Sequence, residues 1–183
     1  IKSVNRWYNN EKARLQSVYS KQGVKYGRKL AQISFKRECI LDNFLNQAVN
    51  YVIKHCLNNQ IGTIVIGKMK DIKQEINLGK VNNQNFVSIP YEKFKKKLEA
   101  KCEYYGIEYK EVDESYTSQT CSRCGTVKKS NRKYRGLYVC KNCGYVVNAD
   151  INGAINILGK VAGESVVRQI TSSGRVSRPV RIR

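Results

Sequence analysis

The sequence has one histidine, few acids and no long apolar run, and each shortage closes a class of function. His55 has no companion at ligand spacing, so a histidine-based metal centre is not expected. Aliphatic stretches are short, "TIVI" at 63–66 being typical, whereas a membrane-spanning helix needs about 20 apolar residues. The first twenty residues are polar and charged throughout, unlike the apolar centre of a secretory signal. Asp and Glu number 14 against 34 Lys and Arg, leaving a formal charge of +20. No membrane and no small-molecule substrate is expected as a partner.

What is abundant is positive charge. A surplus this large favours a polyanion, because each phosphate neutralised releases a condensed counterion. The bland alternative is a solubilising surface. An acidic membrane would call for a basic amphipathic helix with a clean apolar face, and none stands out.

Along the chain, residues 5–20 read as a short helix with Asn5 as a plausible cap, followed by a loop at Gly23–Gly27. From Arg28 to Asn58 apolar pairs recur every four residues, Ile40–Leu41, Phe44–Leu45, Ala48–Val49, Val52–Ile53 and Cys56–Leu57. That is a long helix with one broad buried stripe, which would take Cys39 and Cys56 into or near the core. Cys102 is expected in the core of the next helix. "TIVIG", 63–67, is β-branched and flanked by glycine, a buried strand. A polar loop is expected from Lys68 to Ser88. Pro90 opens a basic helix to about Tyr105, and "GIEYKEVDES" forms a second strand. Helix, strand, helix, strand suggests parallel strands joined by a crossover. A helix, "NADINGAINILGKV", comes after the remaining cysteines, and the basic tail from Lys160 to Arg183 reads as loosely ordered.

Cys121-x2-Cys124, fifteen residues, then Cys140-x2-Cys143 has the spacing of a four-thiolate zinc ribbon. Each CxxC turn presents two sulfurs to one ion, and Gly125 and Gly144 follow each second cysteine, where a left-handed backbone is often needed. Four protein ligands leave no open position, so the zinc is expected to be structural. Its thiolates and charge would change the net charge from +20 to about +18. Arg123, Lys128, Lys129, Arg132, Lys133, Arg135 and Lys141 lie in this module with no acid among them, and Tyr134 and Tyr138 are interleaved. Charge with aromatics suits phosphate contact and base stacking; the alternative is a solvated hairpin with Tyr138 packed on the ribbon.

The stretches "YTSQTCSRCG", "LYVCKNCG" and "NADINGAINIL" resemble the C-terminal half of TnpB, the accessory protein of bacterial insertion sequences related to type V CRISPR effectors. "SVNRWYNNEKARLQS", "TIVIGKMKDIKQEINLG" and "NNQNFVSIPYEKFKKKLEAKCEYYGI" resemble the same family. The resemblance implies an α/β fold: a partial RNase H-like (RuvC) core lacking its first strands, with an inserted four-cysteine zinc ribbon. The divisions would be 1–118 for the core, 119–146 for the ribbon, 147–162 for the final RuvC helix and 163–183 for a basic tail. It further implies RNA-guided DNA cleavage, with DNA and guide RNA as partners, in a prokaryotic cytoplasm and associated with the nucleoid. Three carboxylates would hold two Mg²⁺ ions, which prefer hard oxygen ligands.

Asp150 falls at the family's third acidic position, on a helix whose Ala154, Ile155 and Leu158 would pack on the sheet and aim the carboxylate inward. From spacing alone an N-terminal helix cap, with or without Asn148, is the favoured reading of Asp150. The family's second acid commonly ends the strand that here reads "TIVIG", where this chain has Gly67. Parallel strands lie about 4.8 Å apart, so Glu114 of "EVDES" would reach the same place from the neighbouring strand. Asp113 competes, but adjacent strand residues face opposite sides. The first acid belongs to a strand upstream of "IKSVNRWYN", and the chain opens on Ile1 and not Met, as a fragment would. The leading expectation is therefore a C-terminal piece of a TnpB-type nuclease, inactive by itself, with Mg²⁺ bound only in an intact parent. The alternative is a nuclease-dead zinc-ribbon regulator that binds DNA or RNA. A zinc-ribbon protein of translation or transcription would explain the cysteines but not "NADINGAINIL".

Overall fold

The computed structural model describes residues 1–68, 90–134 and 136–173, which divide into two compact units. The first holds 1–62 and 90–108; the second holds 63–68, 109–134 and 136–173. The loop expected over Lys68–Ser88 lies, apart from Lys68, outside the described residues, as do Arg135 and 174–183 of the tail.

The first unit is helical: α1 (Lys2–Lys21), α2 (Arg28–Asn58) and α3 (Tyr91–Tyr105). Leu15 of α1 packs with Leu30 and Ile33 of α2, and Tyr8 and Tyr19 close the seam. Asn5 is not the cap. The helix starts at Lys2, and Asn5 lies inside it at 3% exposure, its Oδ1 accepting from Arg37 Nε at 2.8 Å. A buried amide is tolerated in mid-helix when a partner across the interface satisfies it.

On α2 the four-residue repeat buries only one member of each pair. Leu41, Leu45, Val49, Ile53 and Cys56 are buried, while Ile40, Phe44 and Leu57 are exposed, so the stripe is narrow. Cys39 falls outside the stripe and is exposed, contrary to expectation. Cys102 of α3 is fully buried, as expected, and Leu98 is 1% exposed. The Asp42 carboxylate meets Lys93 Nζ at 2.9 Å and Lys97 Nζ at 3.1 Å. Hydrogen bonds from Lys93 and then Lys97 hold its carboxyl below the ordinary value. A fully buried Leu or Val contributes about 1.5–3 kcal/mol, and exposed ion pairs contribute little, so the apolar seam holds these helices together.

In the second unit β1 (Thr63–Lys68) and β2 (Glu108–Asp113) form a two-stranded sheet. The Gly62 carbonyl accepts from Glu108 N–H at 2.8 Å at one end, and Glu114 lies on Gly67 at the other. The strands therefore run in the same direction. A 3₁₀ turn, Lys129–Asn131, leads into the antiparallel sheet β3 (Arg132–Tyr134), β4 (Leu137–Val139) and β5 (Val146–Val147). Helix α4 (Ala149–Ser172) closes the unit and is broken at Gly163. The sequence pattern ends this helix near Val161; in the structure the apolar residues of "ESVVRQI" start a second helical stretch after the break. That stretch turns back, for a Cβ on Gly159 would meet Val167 Cγ2 at 2.7 Å. Among the described residues no helix is long and apolar enough to cross a membrane.

Candidate metal centre and flanking acids

Cys121 and Cys140 are each 1% exposed, and with Tyr138, Val147 and Ala149 they form the ribbon's core. The four cysteine sulfurs all lie within 4.8 Å of one another. Cys121 Sγ is 3.8 Å from Cys143 Sγ, and Cys124 Sγ is 3.6 Å from Cys140 Sγ. Four thiolates about 2.3 Å from one ion would have tetrahedral edges of about 3.8 Å, so the set fits a single metal. A disulfide would need a separation of about 2.0 Å. Gly125 and Gly144 have φ of 73° and 67°, the left-handed backbone that each CxxC turn requires.

The sulfurs differ electrostatically. A hydrogen bond with the Thr126 hydroxyl, 3.3 Å away, is the main cause that brings Cys124 down to about 6. Burial pushes Cys121 up to about 12 and raises Cys143 as well. Cys124 is thus the readier of these to meet a cation as thiolate, while Cys121 and Cys143 must give up a proton to it. Asn142 Nδ2 stands 3.7 Å from Cys124 Sγ and Asn131 Nδ2 3.7 Å from Cys140 Sγ, a polar shell around the cluster.

Of the two acids, Glu114 sits where the neighbouring-strand argument puts it. Its carboxylate occupies the room a side chain at Gly67 would need: a Cβ there would collide with Glu114 Oε2 and come within 3.2 Å of its Cβ and Cδ. Asp113 turns the other way, its carboxylate 3.8 Å from Lys160 Nζ and accepting from Ser115 N–H at 3.3 Å. After Glu114 the chain turns through Tyr116, whose φ of 64° is left-handed. Asp150 differs from expectation. Its side chain is 78% exposed and pairs with Arg132 at 3.4 Å; it is not aimed inward. Ile155 is buried and Leu158 half-buried, but Ala154 is exposed, so the packed face of α4 leaves the first turn open. Nor is Asp150 the cap: Asn148 Oδ1 accepts from Asp150 N–H at 2.9 Å and Ile151 N–H at 3.3 Å.

Three residues that sequence reasoning passed over join these features. Asn152, Asn156 and Lys160 recur every four residues and form one stripe of α4. Asn152 Oδ1 accepts from Ser122 N–H at 3.0 Å, and its Nδ2 donates to the Thr120 carbonyl at 2.7 Å. Asn156 Nδ2 donates to the carbonyls of Thr117 and Thr120, each at 2.8 Å. Lys160 Nζ reaches the carbonyl of Asp113 and, at 3.4 Å, that of Ser115. The stripe grips the whole segment from the end of β2 to the first cysteine turn. Its signal in the sequence is polar spacing at a helix period directly after Asp150.

Of the basic residues singled out, Arg123, Lys128, Lys129, Arg132 and Lys133 are exposed on the ribbon. Arg123 stacks over the Tyr145 ring at 5.7 Å. Tyr138 is fully buried and its hydroxyl donates to the Gln119 carbonyl at 3.1 Å, so it packs the ribbon, while Tyr134 is 76% exposed.

Residues 91–157 match the family model described as Cas12f1-like, TNB domain, and residues 1–73 match the one described as probable transposase. The TnpB-like protein ORF457 of Acidianus two-tailed virus is 33% identical over 116 residues, 62% of this chain and 23% of its own length. The chain belongs to the TnpB family. Another relative of this TnpB-family chain is the CRISPR-associated endodeoxyribonuclease Cas12f1 of Sulfoacidibacillus thermotolerans. It is 33% identical over 120 residues, 63% of this chain and 27% of that protein. The chain thus spans about a quarter of the length of these curated relatives. Among solved structures, the Cas12f1–sgRNA–target DNA complex aligns with a TM-score of 0.61 at 25% identity, covering 82% of this chain and 40% of the Cas12f1 chain.

Proposed function

We propose that the chain supplies two metal-liganding carboxylates, Glu114 and Asp150, and a zinc-braced basic surface to an RNA-guided, Mg²⁺-dependent DNA endonuclease of TnpB type. The observation that carries this reading is the Glu114 carboxylate in the space left by Gly67. A strand end that would otherwise lack an acid receives one from its neighbour. In this reading β1, β2 and α4 belong to an RNase H-like core.

Mg²⁺ at such a site activates a water and stabilises the leaving oxygen of a phosphodiester. Glu114 and Asp150 offer the hard oxygen ligands that this ion prefers. The four cysteines, with no position left open, take zinc as a structural ion. Arg123, Lys128, Lys129, Lys133 and Arg135 contact phosphates of DNA and guide RNA, and Arg132 joins them when released from Asp150. The chemistry calls for a third carboxylate, so the chain by itself binds nucleic acid without cutting it. This role belongs in the cytoplasm, at the nucleoid.

A nuclease-dead zinc-ribbon regulator is the second reading, and the exposed, Arg132-paired Asp150 favours it. Cleavage of labelled target DNA by the complete RNA-loaded protein in Mg²⁺ separates the two. Glu114→Gln and Asp150→Asn should each abolish cutting while leaving binding intact. Cutting that survives Glu114→Gln would remove Glu114 from the site, and an uncut target with the unaltered protein would favour the regulator.

A further inference from the structure

We propose that Lys160 is the positioning residue for Glu114: its ammonium group fixes the main chain on both sides of that glutamate and takes the carboxylate of the competing Asp113. The placement stands by itself, and only its purpose rests on the metal-site reading above.

An ammonium group has three N–H donors. Around Lys160 Nζ three acceptors converge, the carbonyl oxygens of Asp113 and Ser115 and the Asp113 carboxylate, the last at 3.8 Å. The two carbonyls belong to the residues on either side of Glu114. Alternation along a strand sends Asp113 and Glu114 to opposite faces, so holding Asp113 on the Lys160 side directs Glu114 towards Gly67. Thr117 completes the restraint, its N–H and hydroxyl donating to the Glu114 carbonyl at 3.1 and 2.7 Å.

The strain in the turn shows why a restraint is needed. Tyr116 adopts a left-handed backbone that costs any residue other than glycine, and its ring is 68% exposed, so burial of the ring does not offset it. Hydrogen bonds within the turn and to α4 offset it together, and of those to α4 Lys160 makes the ones next to Glu114. A lysine serves better than a neutral donor here because its charge also attracts the Asp113 carboxylate next to Glu114.

The test is a nuclear Overhauser measurement between Gly67 Hα and Glu114 Hγ in the full 183-residue chain loaded with zinc. The cross-peak should be present in the unaltered protein, lost in Lys160→Met and restored in Lys160→Arg. Cobalt substituted into the cysteine site should give the same thiolate charge-transfer spectrum in all three, which shows the ribbon intact. Should Lys160→Met fail to fold, Lys160→Gln provides the same readout. A full cross-peak in a folded Lys160→Met or Lys160→Gln protein overturns the proposal. Cleavage of target DNA by the complete RNA-loaded protein in Mg²⁺ tests the metal-site reading separately. Loss of the cross-peak on Lys160 substitution, together with cutting that survives Glu114→Gln, leaves the positioning role standing and removes Glu114 from the metal site.

Discussion

Replacing Asn152 by alanine is the perturbation whose cost the structure defines best. Asn152 is fully buried and serves Ser122 N–H and the Thr120 carbonyl at once. After the replacement the Thr120 carbonyl keeps the Asn156 amide, whereas Ser122 N–H, on a residue 5% exposed, loses its acceptor. An unsatisfied buried donor costs about 1–3 kcal/mol. The space vacated by the amide adds about 1 kcal/mol. The expected loss is about 2–4 kcal/mol, a large part of the roughly 5–15 kcal/mol that holds an ordinary domain. Urea unfolding with zinc in fixed excess, followed by circular dichroism, reads it directly. Asn156→Ala is the internal control. It leaves the Thr117 carbonyl without its Asn156 donor while the Thr120 carbonyl keeps Asn152, and an under-satisfied carbonyl is tolerated better than an orphaned N–H, so about 1 kcal/mol is expected. Because metal binding to such a module is folding energy, the Asn152 variant should also hold zinc more weakly, by about tenfold for each 1.4 kcal/mol lost. An Asn152→Ala cost below about 0.5 kcal/mol, or one no larger than that of Asn156→Ala, would refute the assignment of Asn152 as the tie between α4 and the cysteine turn.

Four further outcomes are expected. Zinc loading should release protons at pH 7, since Cys121 lies at about 12 in the metal-free state; calorimetry in buffers of different ionisation enthalpy measures this, and no release would contradict it. Chelation should in turn unfold the ribbon and weaken nucleic-acid binding, with full-strength anisotropy binding after chelation as the contrary result. Asp42→Asn should remove stability that is present at neutral pH. The folded carboxyl lies below its ordinary 3.8, so this contribution is present above that value and is lost as pH falls through the folded one. The variant should match the unaltered protein in strong acid and fall below it at pH 7 in thermal melts. Tyr116→Gly should leave stability unchanged or raise it by up to about 1 kcal/mol, relief of the left-handed backbone being set against the entropy of glycine; a clear loss would show that the ring makes a contact that matters.

Much of this was legible in the chain because it is local. The CxxC turns fix their own geometry, and the four-residue recurrence from Arg28 to Asn58 reproduces α2 at both ends. Glu114 was reachable because strand spacing and alternation are constants of a sheet. What stayed hidden depends on the partner. Asn5 carries a cap residue's side chain, yet Arg37, far along the sequence, decides that it is buried. Periodicity shows that α2 has an apolar face but not how wide a neighbour covers it, so Cys39, Ile40 and Phe44 were counted inward. The exposure of Asp150 could not be read either, since it depends on the cap at Asn148 and on Arg132 from the facing strand. The Asn152–Asn156–Lys160 stripe had a visible period, but its partners are mostly peptide groups, which no sequence displays.

That last point has a consequence for variation. A helix that grips its neighbour through peptide groups reads the path of the chain and is nearly indifferent to its spelling. The side chains of Ser115, Tyr116 and Ser118 can be rewritten without loosening the contacts that Asn156 and Lys160 make to the backbone around them. A library randomised at those three positions should therefore return mostly folded members. The segment beside Glu114 is a place where new contacts to a nucleic-acid chain can be tried out at little structural risk.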